Sequence, residues 1–594
     1  MSDTTLDSAG PARPGPLWRL GALAIAAAAM MILAPLFLDR FTVNVLTRSM
    51  IFAILAVTVD LLWGFTGILT FGQAAFFGAG AYATAMVLTH MGSGPGLMAL
   101  GLLLSILVPV ALAAAVGWLT FYPGSSDFYA TVISLVVPIV VTQLIYSGGT
   151  WTGSSSGLVG YFGLDLSLGG FFRLAGLCLV AVVFAALVFV RSDAGRVLTA
   201  IRNNETRCAY LGINTQAVKI ALTTVLAGVT GIAGFLYANA SGVVAPENTG
   251  FVFGTQLVVW TALGGRGTII GPALGAVAID YLSAQLSGQL PFLWQLVVGL
   301  MFVVMIIFMP NGLAALVTGW RRVRKGPAAA APALVPIARR ARGPASDAPL
   351  LQIERLEKAY GSHKVLEDIT LTVRPGELVS LVGPNGAGKT TLMRCMTDGQ
   401  AASGGTVRVN GESITGLVPN RIVARGIGRK FQVASVFESL TVAECLRMAR
   451  AAHERPSFTR RRDTLALPQP AIEILRLTGL DRQLGAEVSL LSHGQKQSLE
   501  LAMVVALEPA LILLDEPTAG LTKAERTTIG TVLQTLTSEL GLAAILVEHD
   551  LDFVRDISSR IVVLHQGRLV LDGTVEEVVN DDIVKRIYSG GDHG

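Results

Sequence analysis

Gly383-Pro-Asn-Gly-Ala-Gly-Lys-Thr390 follows the apolar run Leu378–Val382 and leads into a helical run that starts at Lys389. The spacing is G-x-x-x-x-G-K-[ST], in the strand–loop–helix context that gives the pattern its meaning. Gly383, Gly386 and Gly388 let backbone N–H groups, including that of Asn385, turn inward around phosphates, and the helix N-terminus adds a favourable dipole. Lys389 then reaches the outer phosphates, and Thr390, beside Thr391, offers a hydroxyl to Mg²⁺. Well downstream, Leu511-Ile-Leu-Leu-Asp-Glu516 reads as a buried strand that ends in two carboxylates. Such a strand says little alone. Behind a phosphate loop it specifies nucleotide hydrolysis, with Asp515 on the metal and Glu516 polarising the attacking water. Short β-rich runs (Leu351–Leu356, Ile369–Val373, Leu378–Val382) alternate here with helical stretches, the rhythm of an α/β domain with a mostly parallel sheet.

Working back toward the N-terminus, the composition changes. Only 14% of the 594 residues are charged and 52% are hydrophobic, against about 25% charged in soluble domains. The deficit is uneven: from 61 to 172 the only acidic or basic residues are Asp127 and Asp165. Apolar spans near 20–38, 45–63, 97–120, 128–146, 170–190, 217–240, 253–285 and 291–309 each approach the ~20 residues a helix needs to cross a bilayer. Residues 66–88, rich in Gly and holding Gln73, read as a further helix or a broken, re-entrant one. Eight to ten membrane segments are expected. Residues 20–38, behind Arg13 and Arg19, read as a first membrane helix rather than a cleavable signal.

Basic residues set the orientation. Arg191, Arg196, Arg202, Arg207 and Lys219 share one loop, and Arg321, Arg322, Arg324 and Lys325 follow the last span. The positive-inside rule places these, together with Arg13 and Arg19 before the first span, and everything after 320, in the cytoplasm, which requires an even number of crossings. The net charge of +4 is therefore membrane anchoring and points to no nucleic-acid partner. Residues 320–349, dominated by Ala, Pro and Arg, read as a linker that tethers a membrane domain (1–319) to the nucleotide domain (350–594). The four cysteines, Cys178, Cys208, Cys395 and Cys445, have no metal-like spacing and suggest neither zinc nor disulfides.

The order of further motifs resembles the nucleotide-binding domain of ABC transporters. Leu491-Ser-His-Gly-Gln-Lys-Gln497 is similar to that family's signature, with His493 where Gly is usual. The resemblance implies that Ser492, Gly494 and Gln495 contact the γ-phosphate bound by an opposite domain, so a second ATPase subunit is required. It also implies that Tyr360 stacks on adenine, that Gln432 is the Q-loop residue sensing Mg²⁺ and the permease, that Ala519-Gly-Leu-Thr522 is the D-loop, and that His549 is the switch histidine. Read from the residues alone, Tyr360 is equally a surface aromatic, Gln432 a solvated polar residue and His549 a satisfied strand-end histidine.

The membrane half resembles the permease of branched-chain amino acid and urea/amide ABC importers. The resemblance rests on Leu62-Trp-Gly-Phe-Thr-Gly-Ile-Leu-Thr-Phe-Gly-Gln-Ala-Ala-Phe-Phe-Gly-Ala-Gly-Ala-Tyr82, Thr152-Gly-Ser-Ser-Ser-Gly-Leu158, Gly264-Gly-Arg-Gly-Thr-Ile-Ile-Gly-Pro-Ala-Leu-Gly275 and Phe308-Met-Pro-Asn-Gly-Leu313. The fold implied is a polytopic α-helical membrane domain followed by an α/β P-loop NTPase domain of ABC type. Residues 195–219 are similar to the coupling segment that docks on the ATPase, with Arg202, Glu205, Leu211 and Gly212 as its notable positions. Asp60, inside an apolar span, either lines a solute path or ties helices together, and Gln73 presents the same choice.

The resemblance implies ATP-driven import across the inner membrane with a second permease subunit and a solute-binding protein. Leucine, isoleucine or valine is the first substrate reading. Urea or a short amide is the alternative, toward which Gly426–Leu440 and Asp60-Leu-Leu-Trp-Gly lean. An exporter half-transporter, or an ATPase that moves no solute, would join similar parts. Exporters of that kind usually carry long polar extensions of six helices, and the second class a large extracytoplasmic insertion; the sequence shows neither.

Overall fold

The computed structural model describes residues 17–122, 127–308, 312–314, 332–338, 348–399 and 401–589. Arg13 and the basic run 321–325 lie outside the described residues. The membrane half contains α1 (Leu17–Leu33), α2 (Arg40–Thr66), α3 (Gln73–His90), α4 (Pro95–Thr120), α5 (Asp127–Ser147), α6 (Leu168–Arg191), α7 (Asp193–Asn203), α8 (Glu205–Tyr210), α9 (Thr215–Ser241), α10 (Phe251–Gly264), α11 (Ile270–Gln289) and α12 (Trp294–Phe308). Among the described residues six helices are long and apolar enough to cross a membrane: α2, α4, α5, α6, α9 and the run Trp18–Leu36, which joins α1 to the turn Ala34–Leu36. This is a multi-pass membrane protein.

Helix α2 is the central post. From Met50 to Leu62 every residue is buried, and α6, α9, α10 and α11 pack around it. The outer helices instead turn apolar side chains outward, as on α4 (Leu103, Leu107, Leu119) and α5 (Val136, Ile139, Leu144). A surface of that kind suits lipid or another apolar subunit rather than water.

Two expectations about continuity resolve differently from a simple count of spans. The stretch 66–88 is an irregular link followed by α3: α2 ends on Gly67 in the left-handed region, and α3 starts at Gln73. The stretch 253–285 is two helices broken at Gly265–Gly267, where φ reaches +112° and +78°. Irregular backbone at membrane depth needs internal partners, and here Asp60 supplies them. Its Oδ1 accepts from the Gly267 N–H at 2.6 Å and its Oδ2 from the Ile269 N–H at 2.9 Å. Gly64, one turn further along α2, makes the approach possible, because a Cβ there would lie 2.7 Å from the Gly267 nitrogen. Asp60 is thus a tie between α2 and the α10–α11 break, the structural one of its two readings. Gln73 is fully buried and accepts from the Thr58 hydroxyl at 3.3 Å.

In the second half a six-stranded sheet runs in the order Arg568–Gly573, Arg560–His565, Leu378–Val382, Ala543–Val547, Leu511–Asp515, Ile427–Lys430, parallel except at its first pair. Leu378–Val382, Ala543–Val547 and Leu511–Asp515 are buried at every position, as strands covered on both faces must be. A second sheet, antiparallel, is built from His363–Val373, Leu351–Tyr360, Gly404–Val409 and Glu412–Ser413.

Residues 333–337 stand out from the reading of 320–349 as an unstructured tether. Ala333-Leu-Val-Pro-Ile337 is a strand, paired in parallel with Thr464–Pro468 of the second half. The run is apolar enough to pack, and Pro336 is compatible with an edge strand that does not need every N–H.

Candidate functional site

The phosphate loop sits where the sheet topology requires, between the C-terminal end of the central strand Leu378–Val382 and the helix Lys389–Thr397. Two glycines are obligatory by geometry. Gly388 has φ +102°, and a Cβ there would come within 2.8 Å of Leu366 Cδ2; Gly383 lies against the Leu564 carbonyl with no room for any side chain. Asn385, Gly386 and Thr390 are exposed at the loop, and Thr391 is half-buried behind them. Lys389 folds back onto its own loop, donating to the Gly383 carbonyl at 2.6 Å and the Pro384 carbonyl at 3.1 Å. Burial lowers its pKa, with Glu516 and Asp515 acting in the opposite sense. An ammonium resting on carbonyls in a cradle of inward backbone is a fit for a phosphate chain.

Asp515 ends its strand almost fully buried, and desolvation raises its pKa against the opposing charge of Arg429. Its neighbour Glu516 has left-handed backbone, φ +44°, unusual for a residue with a side chain. That conformation turns the carboxylate out of the strand direction and into a polar clasp. Gln432 Nε2 donates to Glu516 Oε2 at 2.7 Å, and His549 Nε2 lies 2.7 Å from Glu516 Oε1. Three residues separated by more than a hundred positions therefore meet at one carboxylate.

The other motif residues are placed separately. Ser492 caps the helix His493–Ala506: its Oγ accepts from Gln495 N at 3.2 Å while Gln495 Oε1 accepts from Ser492 N at 3.1 Å. Gly494 packs against Glu525, so the cap and the helix Lys523–Ser538 abut. Ser492 and Gln495 cap each other, the Ser492 carbonyl accepts from Lys496 N at 3.0 Å, and Ser492 and His493 are exposed at this helix N-terminus. Tyr360 ends its strand half-exposed, with Lys358 Nζ 4.7 Å from its ring centroid. Thr518, the residue before the D-loop, is held from behind: Glu548 Oε1 accepts from Thr518 N at 3.0 Å and from Thr518 Oγ1 at 2.6 Å. Among the described residues no group of three His, Cys, Asp or Glu could hold a metal alone. One carboxylate and one hydroxyl, Asp515 and Thr390, are the kind of sparse oxygen set that suits Mg²⁺ arriving on phosphates.

The coupling segment docks on this half. Val197, Ile201, Cys208 and Leu211 share one buried apolar cluster with Phe437, Leu446 and Leu499. Around it, Arg196 Nε lies 3.1 Å from Glu444 Oε1, Asn203 Nδ2 donates to Ser439 Oγ at 2.5 Å, and Asn204 Nδ2 to Ser435 Oγ at 3.0 Å. Ala194 N donates to the Ser457 carbonyl at 2.9 Å, and Phe189 stacks on Phe458. Gly212, φ +82°, has no room for a side chain, since a Cβ would sit 2.9 Å from that of Ala452. Leu211 and Gly212 thus face the second half, whereas Arg202 and Glu205 face the first: Arg202 Nη1 donates to the Gly64 carbonyl at 2.5 Å, and Glu205 pairs with Lys219 at 2.5 Å.

Sequence reasoning gave no site role to Arg207, counted among the basic loop residues, nor to Lys430, Gln497 and Glu500, all fully buried. The available signal was Glu500, a lone carboxylate set in the apolar half, Leu499–Ala506, of the helix His493–Ala506.

Comparison with known proteins agrees with both halves. Residues 41–309 match the family described as branched-chain amino acid transport system / permease component, and residues 366–519 match ABC transporter. The high-affinity branched-chain amino acid transport ATP-binding protein BraF of Pseudomonas aeruginosa is 32% identical over 253 residues, which are 41% of this chain and 98% of that protein. The chain belongs to the branched-chain amino acid family of ABC transporters. LivG of Escherichia coli K12, a high-affinity branched-chain amino acid transport ATP-binding protein, is 34% identical over 252 residues, again 41% of this chain and 98% of its own. The lipopolysaccharide export ATP-binding protein LptB of Haemophilus influenzae is also 34% identical, over 241 residues, 41% of this chain and 97% of its own. A solved nucleotide-free ATP-binding cassette from an ABC transporter is 25% identical, with a TM-score of 0.35, and spans 41% of this chain and 99% of its own. A membrane permease half and an ABC ATPase half are therefore joined in one polypeptide, and the ATPase half binds ATP.

Proposed function

We propose that this chain is the fused permease and ATP-binding subunit of an importer for branched-chain amino acids. The division is 1–319 permease, 320–349 linker and 350–594 ATPase, with residues 333–337 of the linker anchored on the ATPase. One observation carries the coupling: α7 and α8 of the permease are buried in the ATPase half that holds Glu516 between Gln432 and His549. The substrate reading rests on the permease family matched by residues 41–309 and on the names of BraF and LivG. LptB, as identical as LivG, is an export protein, so the ATPase half by itself carries no substrate information.

In this reading Glu516 is the general base, oriented by Gln432 and His549, and Lys389 with the loop N–H groups binds the β- and γ-phosphates. Tyr360 stacks on adenine, and Thr390, Asp515 and Gln432 hold Mg²⁺. When bound, the ion neutralises charge that develops on the phosphates. Ser492, Gly494 and Gln495, at the capped N-terminus of their helix, complete the site of a second ATPase subunit, and its signature completes this one. The transporter also contains a second permease and a solute-binding protein outside the inner membrane, with the ATPase in the cytoplasm. Uptake into vesicles, with the cognate binding protein and leucine, urea or a short amide as solute, tests the assignment. Leucine uptake lost in Glu516→Gln supports it; uptake of urea or an amide alone moves the substrate to the alternative, and efflux overturns import.

A further inference from the structure

Arg202 and Arg207 are five residues apart on the docking segment and face opposite halves of the molecule. Arg202 holds the last turn of α2 through the Gly64 carbonyl, four residues from Asp60. Arg207 enters the ATPase half and is fully enclosed there, with Nη1 3.2 Å from Glu500 Oε1 and donating to the Arg429 carbonyl at 3.0 Å. Its guanidinium lies 6.0 Å from the Phe431 ring centroid.

From Glu500 the polar contacts pass to the segment 430–432 through one hydrogen bond and one longer ion pair. Glu500 Oε1 accepts from Phe431 N at 3.1 Å, and Glu500 Oε2 lies 4.0 Å from Lys430 Nζ. Lys430 Nζ donates to Gln497 Oε1. Gln497 Nε2 in turn donates to the Gln432 carbonyl at 3.1 Å, and Gln432 Nε2 to Glu516 Oε2 at 2.7 Å. Glu500 and Gln497 lie on the helix that starts at the signature segment. The chain of contacts therefore joins three things: the permease segment, the signature helix and the hydrolytic carboxylate.

We propose that Arg207 is a positioning residue for hydrolysis: by fixing Glu500 it sets, through the Phe431 N–H and the Lys430 and Gln497 side chains, where Gln432 holds Glu516. This rests on the importer reading above and names its internal linkage. The physical reason is burial. A guanidinium, an ammonium and a carboxylate sealed from water tolerate only geometries in which they remain paired. A displacement of α8 is then not absorbed locally but moves Glu500, and with it the segment 430–432. Arg196 provides the contrast: its partner Glu444 caps the helix Val442–Arg450 and also pairs with Arg461 at 3.1 Å, and among the described residues neither contact is to Glu500 or the segment 430–432.

The test uses the full chain assembled with its partner subunits in proteoliposomes, with steady-state ATP hydrolysis as readout. Arg207→Met is expected to lower kcat by at least about tenfold while KM for ATP stays within about twofold, the pattern for loss of a group that acts on the transition state alone. Arg207→Lys, which keeps the charge, should recover part of kcat. Arg196→Met should lower the yield of assembled complex and leave kcat per complex near wild type. Glu500→Gln preserves the acceptor for Phe431, and its effect should be non-additive with that of Arg207→Met. If Arg207→Met does not assemble, the Arg207→Lys and Glu500→Gln pair carries the same cycle. Additive effects, an unchanged kcat, or an equal kcat loss in Arg196→Met would each overturn the proposal. Glu516→Gln in the same assay separates the two levels. If it still hydrolyses ATP, the assignment of the catalytic site fails. If it is inactive while Arg207 variants are normal, only the linkage fails.

Discussion

Asp60 in the membrane half and Glu516 in the ATPase half are both carboxylates singled out by their apolar surroundings in sequence, and they are held in opposite ways. Asp60 is sealed from solvent and bonded to two backbone N–H groups, of Gly267 and Ile269. Those donors cannot leave without breaking the α10–α11 link. Glu516 keeps some exposure, sits on left-handed backbone and is held by two side chains that can rotate away, Gln432 and His549. A carboxylate fixed by main chain is a structural tie; one poised by movable side chains on strained backbone is equipped to do chemistry.

Four substitutions break or sharpen that contrast. Glu516→Gln is expected to have the largest effect, lowering ATP hydrolysis by about 10²–10⁴-fold with nucleotide binding retained. Single-turnover hydrolysis and a binding isotherm on the same preparation check it. Asp60→Ala should act on stability instead: two buried donors lose their acceptor, at about 1–3 kcal/mol each. Its melting temperature in detergent should fall, while kcat per surviving complex holds. Gly64→Ala should act in the same direction by about 1–3 kcal/mol through overpacking, since its Cβ would crowd the Gly267 nitrogen at 2.7 Å. If Gly64→Ala melts like wild type, the close approach of α2 to the break is not tight. Tyr360→Ala should show the smallest effect, about 1 kcal/mol or a few-fold in Kd for ATP, as expected for one half-exposed ring; a nucleotide titration reads it.

The ATPase half was legible almost residue by residue because its parts are local. A phosphate loop is eight consecutive residues with fixed backbone demands, and the strand before Glu516 declares itself by an unbroken apolar run. The roles of Gln432, Glu516 and His549 were read separately from motif order under the family resemblance; that Gln432 and His549 meet on the Glu516 carboxylate is what the structure adds. The membrane half was legible in coarse outline only. Apolarity along 253–285 hides the break at Gly265–Gly267, because the cue is conformational rather than compositional. Asp60 was visible, but its partners were not, since they are backbone N–H groups about two hundred positions away. Arg207 was counted as one of several cytoplasmic cations. Its burial depends on a pocket assembled from Arg429, Phe431 and Glu500, which no pattern within 195–219 encodes. The strand 333–337 was hidden by its Ala- and Pro-rich setting.

That strand bears on assembly. BraF and LivG are aligned over 98% of their own length with the ATPase half of this chain, so there the ATP-binding part is a separate polypeptide. Docking of a separate polypeptide is in general a bimolecular equilibrium, which dilution can reverse. Here Ala333–Ile337 pairs with Thr464–Pro468, directly after the loop whose Ser457 accepts from Ala194 of the docking segment. Covalent attachment makes docking unimolecular, at an effective concentration in the millimolar range for short connections. One permease and one ATPase are then made in equal number by a single act of translation. A weakened docking contact is held in place by proximity, where a free subunit would be shed.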